Sequence, residues 1–226
     1  MLLAVTDLAA TARELQTRYG LTSVEGGRHP DWGTANRIVP LGTSYLELVT
    51  VVDRAAANSS FGRWVASGAS RPGRPLGWAV RTGQLDQLAR RLGLTVHSGA
   101  RVASSGEVLR WRSAGIDQAA AESSLPFFIE WAAGARLPGA TAVAHPAAPA
   151  GISKLLLEGD PDRLAAWPPG SATTRCRSSY AAVAPQSRRS SSQPPGARSS
   201  SVPSSGDRRE PPQTGRALCL ETSSPH

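Results

Sequence analysis

The sequence predicts an α+β protein built from two βαβββ modules, and three observations carry that prediction. Residues 4–28, AVTDLAATARELQTRYGLTSVEGGR, are echoed by residues 79–101, AVRTGQLDQLARRLGLTVHSGAR, and an internal repeat constrains architecture before any single motif does. Each copy holds one stretch of helical periodicity that ends in Gly-Leu-Thr. Each copy is then followed by two runs of strand character: TANRIVPLG and SYLELVTVV in the first, GEVLRWRSA and LPFFIEWAA in the second.

The elements follow in order. A strand ending at Ala4-Val5 leads into a helix whose Leu8, Ala12 and Leu15 recur at helical spacing. Gly20 stands where a helix C-cap needs a residue tolerant of positive φ. A second strand runs to Arg28, and the strands holding Arg37 and Glu47 complete a first module over residues 1–53. Residues 54–75 link the modules, and SSFGRWVASG within them predicts a short helix with Ser59 or Ser60 as N-cap. The second module, residues 76–133, repeats the helical spacing in Leu85, Leu88 and Leu92 and the cap in Gly93. Residues 134–167 read as a connector and a partial third βα unit. Its strand ISKLLLE is expected to pack on the edge of the second module's sheet, and Asp160 or Asp162 to cap a helix opened by Pro161.

From Pro168 to His226 the chain is rich in Arg, Ser and Pro and has almost no apolar periodicity. Such a composition buries too little apolar surface to offset chain entropy, so a disordered tail is expected. A regulatory tail and a change of reading frame in GC-rich DNA both account for the abrupt shift. The second is preferred, because off-frame products of such DNA run to Arg, Ser, Pro and Ala.

Charge and cysteine usage exclude several classes. Of the net charge of +8, the tail supplies +5, from eight Arg against three acidic residues. Those Arg are scattered among Ser and Pro rather than interleaved with aromatic residues that stack bases, so no specific nucleic-acid partner is expected. Cys176 and Cys219 form no CxxC motif and no disulfide framework, which fits a reducing compartment. The start MLLAVTDLAA lacks a basic region and reaches Asp7 too soon for a signal peptide. No run of 18 apolar residues occurs. The expectation is a cytoplasmic protein without a membrane partner. Nucleophile elbows, phosphate-binding glycine loops and paired-cysteine zinc motifs are absent.

The chemistry concentrates elsewhere. GGRHPDWGTANRI, residues 26–38, gathers His29, Trp32, Asn36 and Arg37 between two strands, and Gly26, Gly27 and Gly33 allow the sharp bends that would let it line a site. The alternative, that His29 and Asn36 fix a loop by hydrogen bonds to its backbone, stays open. Glu47 in YLELV and Glu130 in FFIEW each stand alone in an apolar strand. A carboxyl buried there is costly unless it has a metal, an Arg or a proton. Leu46 and Leu48 flank the first, Ile129 and Trp131 the second, and period-two alternation predicts that both carboxyls point into one cleft. Arg110 and Arg112 share a face opposite Trp111. If that face is inward, Arg110 can clamp a ligand carboxylate, or the pair can meet Glu130. His97 reads as structural, and His145, in a connector, is assigned no role.

The stretches LLAVTDL, GGRHPDWGTANRI, YLELV and FFIEW resemble the glyoxalase-like domain family of the vicinal oxygen chelate superfamily, which also holds bleomycin-resistance proteins and extradiol dioxygenases. The resemblance covers roughly residues 1–165. It implies curved mixed sheets around a shared cleft, a small-molecule partner, and a divalent metal (Zn, Ni, Fe or Mn) as cofactor; a homodimer is allowed. Ligands in the superfamily come from the first and last strand of each module. The last-strand positions match Glu47 and Glu130, which the resemblance makes metal ligands or catalytic acid/base groups. The first-strand position of module two is Gly77, which cannot ligate, and that of module one falls just before Met1. His29 is then the candidate third donor, since two carboxylates alone make a poor transition-metal site. Two functions are expected from this. One is a lyase, isomerase or dioxygenase-type enzyme acting on a small oxygenated molecule. The other is a metal-free protein that sequesters such a molecule between Trp32, Trp78 and Trp111.

Overall fold

Both repeats fold around a helix with defined ends. The computed structural model describes residues 1–70, 74–102, 106–167 and 217–221. Strand β1 (Leu2–Ala4) leads to α1 (Leu8–Tyr19), where the Asp7 carboxylate accepts from the Ala9 and Ala10 amides at 2.8 and 2.9 Å. Gly20, at φ 63°, ends that helix in the left-handed region. Strands β2 (Val24–His29), β3 (Thr34–Leu41) and β4 (Ser44–Val51) follow. The linker carries α2 (Ser60–Gly68), capped by Ser59, whose hydroxyl accepts from the Gly62 amide at 3.0 Å. The second module holds β5 (Ala79–Arg81), α3 (Leu85–Leu92), β6 (Val96–Val102) and β7 (Val108–Ala114). A short α4 (Ile116–Ala121), which the repeat does not announce, precedes β8 (Phe127–Trp131).

The strands form one curled sheet of eight, in the order β1-β4-β3-β2-β6-β7-β8-β5. In each module the first strand runs parallel to the last and the other pairs are antiparallel. The modules join where Arg28 of β2 pairs with Val102 of β6. At the two far ends Leu2 bridges Gly77, with the Leu2 amide donating to the Gly77 carbonyl and the Leu76 amide to the Leu2 carbonyl, both at 2.8 Å. The sheet therefore closes on itself. Gly27 makes the join between modules feasible: its φ is +141°, and a Cβ there would sit 2.3 Å from the Val102 carbonyl oxygen.

Closure gives the sheet an inside and an outside, and both are apolar. Inside, Leu2, Val49, Phe61, Trp64, Trp111 and Phe127 form one cluster, with α2 and α4 filling one end. Outside, Leu15 and Leu21 cover Val39, Leu41 and Leu46 in module one, while Leu85 and Ala89 of α3 cover Ala114 and Phe128 in module two.

The connector wraps over module one. The Gly42 amide donates to the Gly139 carbonyl at 3.0 Å. His145, expected to do nothing, fastens the wrap: its Nδ1 accepts from the Thr22 amide at 2.9 Å, and its Nε2 donates to the Pro40 carbonyl at 2.7 Å. Strand β9 (Lys154–Glu158) does not extend the second module's sheet as expected; it pairs antiparallel with β10 (Ala217–Glu221). Asp160 caps α5 (Pro161–Ala166), accepting from the Asp162 amide at 2.9 Å, and Leu164 packs on Leu125 beside Trp78. The tail expected to be disordered, 168–226, lies outside the described residues except at Ala217–Glu221. There the apolar run ALCLE pairs with the open edge of β9, which offers it unpaired backbone groups.

Candidate functional site

The inside of the curled sheet holds a cavity of about 550 Å³, within the range of small-molecule sites. The stretch 26–38 builds its module-one wall. His29 ends β2, Pro30–Trp32 makes a single 3-10 turn, and Gly33, at φ 62°, returns the chain into β3. The turn carries Trp32 over the cavity, 4.7 Å from Phe61 and 5.5 Å from Trp111 between ring centroids. Trp111 continues to Trp131 at 5.4 Å, and Gly99 opposite leaves room for its indole, since a Cβ there would lie 2.6 Å from the ring.

Polar groups line up across one side of this aromatic box. The Asn36 Nδ2 donates to Glu47 Oε1 at 2.7 Å and lies 3.4 Å from His29 Nε2. His29 Nδ1 meets Thr34 Oγ1 at 2.8 Å. With the amide donating to Nε2, the imidazole carries its proton on Nδ1 and donates to Thr34. Burial, helped by the charge of Arg101, pulls the His29 pKa down to about 3, so the ring is neutral. Glu47 is half-buried, and what remains open faces the cavity rather than bulk water. Desolvation raises its pKa, and the Asn36 hydrogen bond opposes that rise. Burial also raises the Tyr45 phenol.

The structure brings together His29, Trp32, Asn36 and Glu47, all on the cavity wall. Three other expected site residues do not join them. Glu130 faces outward with Phe128, while its neighbours Phe127, Ile129 and Trp131 face the cavity. Its carboxylate pairs with Arg112, which also holds Asp86 at 2.8 Å, and it accepts from the Leu85 amide at the start of α3, 3.3 Å away. The expectation of two carboxyls in one cleft is thus corrected: Glu130 serves a helix start and an outer ion pair. Arg37 also faces outward, donating to the Ser23 hydroxyl and carbonyl at 3.0 and 3.1 Å. Arg110 is exposed on the outer face of β7. Arg101 and Tyr45, which line the cavity, were not singled out from the sequence. Tyr45 stands two residues before Glu47, and period-two alternation would have found it.

The donor set does not fit a divalent metal. Among the described residues no group of three or more His, Cys, Asp or Glu gathers. Glu130 is on the far face, and both ring nitrogens of His29 are engaged by Asn36 and Thr34. The first-strand residue in register with Glu47 is Leu2.

Two βαβββ-type modules curled around one cavity, with a carboxyl on a closing strand, define a protein of the vicinal oxygen chelate class. The chain belongs to the glyoxalase-like domain family, whose model matches residues 1–169. Among solved structures it is similar to methylmalonyl-CoA epimerase from Mycobacterium tuberculosis, at 17% identity over 57% of this chain and 83% of that one, with a TM-score of 0.40. It is also similar to methylmalonyl-CoA epimerase from Streptomyces coelicolor in complex with 2-nitronate-propionyl-CoA, at 20% identity over 59% and 94%, with a TM-score of 0.41. A hypothetical protein from Staphylococcus aureus matches at 16% identity over 49% of this chain, with a TM-score of 0.39, and the chain spans 50% of its length. A comparison with curated proteins finds no match. No helix among the described residues is long and apolar enough to cross a membrane.

Proposed function

We propose that the chain is an enzyme that transfers a proton on a small oxygenated molecule bound in the cavity, as an isomerase or a lyase, with Glu47 as the acid/base group. The observation that carries this is the placement of Glu47: a carboxyl on the wall of an aromatic enclosure, its Oε1 held by Asn36 at 2.7 Å, a setting whose desolvation pushes its pKa up. A raised carboxyl pKa narrows the gap to a carbon acid beside a carbonyl, which is what a general base needs near neutral pH. His29, neutral, cannot supply charge. Its role is to hold Asn36, so that the amide keeps the carboxyl aimed into the cavity. A dioxygenase would need a metal centre, and the donors among the described residues do not gather into one.

The second reading is a binding protein of the same fold, favoured by the aromatic walls of Trp32, Trp111 and Trp131. Solvent exchange separates the two. In D₂O, with a panel of small ketones and keto acids, wild type should incorporate deuterium beside the carbonyl of at least one compound, and Glu47→Gln should abolish it. Binding without any exchange across the panel would favour the second reading. Exchange undiminished in Glu47→Gln would remove Glu47 from the account.

A further inference from the structure

The charge of the cavity is unbalanced. Glu47 is the one carboxyl on its described lining, whereas the Met1 amino terminus, Arg81, Arg101 and Lys154 are basic groups there. Arg81 and Lys154 are exposed, but Arg101 is half-buried beside the polar row. The β6–β7 register places it opposite Leu109, on the same inner face as Trp111. Its Nε is buried without a hydrogen-bond partner. Its Nη1 and the Asn36 Oδ1 both lie within 3.0 Å of the point that a Cβ on Gly26 would occupy, so the glycine makes room for both side chains. Burial lowers the guanidinium pKa, and Glu47 is the leading charge opposing that. Glu107 acts in the same sense as Glu47 but more weakly, and neither bonds the buried Nε. A cation withdrawn from water is costly until it is paired.

We propose that Arg101 anchors the carboxylate of the ligand, and that the ligand is an organic monocarboxylate whose ring-sized apolar body lies against Trp32, Trp111 and Trp131. The planar fork of a guanidinium suits a carboxylate, and the negative charge of the ligand offsets that of a guanidinium withdrawn from water. This rests on the cavity being the ligand site and deepens that reading by naming the class. Arg81 and Lys154 are exposed at the cavity's edge, where water screens their charge.

Four of the six tryptophans line the cavity, so their fluorescence reports its occupancy. The full chain is titrated with 3-phenylpropionate and with its neutral isostere, 3-phenylpropionamide. The acid should bind at least about tenfold more tightly. Arg101→Met should bring the acid down to the level of the amide and leave the amide unchanged, while Lys154→Met should keep the preference. Equal binding of acid and amide by wild type, no binding of either, or a preference that survives Arg101→Met or vanishes in Lys154→Met would overturn the proposal. Should Arg101→Met lose its melting transition, Arg101→Lys decides: less than about threefold weakening of the acid refutes the anchor. A carboxylate preference without exchange at Glu47 would sink the proton-transfer reading and leave the anchor standing; exchange without the preference does the reverse.

Discussion

Lowering the pH from 7 to 5 should destabilise the fold through His29. In the unfolded chain this imidazole takes up its proton near 6.5; in the fold, 3% exposed and beside Arg101, it does so only near 3. Between those values the unfolded state binds more protons than the folded one. The contribution is therefore intact above the unfolded pKa and is lost as pH falls through the window. At pH 5, roughly 1.5 units into it, the loss is ~2 kcal/mol, and the whole window is worth ~5 kcal/mol. Glu47 acts with the opposite sign: its raised pKa gives stability that is full below the usual carboxylate value and lost as pH rises through its folded value. The two separate in a double difference. Urea unfolding of wild type and His29→Gln at pH 7 and pH 5 should show wild type losing ~2 kcal/mol more than the variant. The other histidines and Glu47 are present in both proteins. Equal losses within about 0.5 kcal/mol, or a larger loss in the variant, would mean that His29 is not held neutral.

Gly27→Ala should cost ~3 kcal/mol or more, since its Cβ would meet the Val102 carbonyl at 2.3 Å with φ at +141°; an unchanged melting temperature would show that the modules do not meet at that glycine. Glu130→Gln should weaken the outer pair with Arg112 yet leave exchange chemistry in the cavity intact, and loss of exchange in a folded Glu130→Gln would return that carboxyl to the site. His145→Ala should free the connector at a cost of ~1–3 kcal/mol, with faster hydrogen exchange at the Thr22 amide that it accepts from; unaltered exchange there would mean the connector is held by other contacts.

Much of the fold is legible in the sequence, because the repeat, the left-handed Gly20 and Gly93 and the Ser59 cap are local signals that the structure keeps. The site is only half legible. Alternation says that Glu130 and Ile129 face opposite ways, but not which way is in. A sheet closed around a cavity and covered outside by α1 and α3 is apolar on both faces, so Leu46 and Leu48 flank a carboxyl that points in while Ile129 and Trp131 flank one that points out. A sharper signal was the start of α3, where Gln84 makes no side-chain cap, leaving the Leu85 amide for Glu130. Arg37 beside Asn36 poses the same ambiguity. Arg101 had no local mark at all: it enters the site only because β6 pairs with β2 across the modules, a contact between residues far apart in the chain. The pairing of Ala217–Glu221 with β9 is equally non-local.

The Glu47 carboxyl is kept partly out of water inside the curled sheet, and its titration can be read directly. With carbon-13 in the glutamate side chains, the Glu47 carboxyl is assigned by its absence in Glu47→Gln and followed through pH. Desolvation predicts a midpoint above the ordinary value of 4.5, and one that climbs further in Asn36→Ala, because the amide that favours the charged form is gone. A midpoint at or below 4.5, or one that falls when Asn36 is removed, would mean that Glu47 is not a desolvated carboxyl held by Asn36.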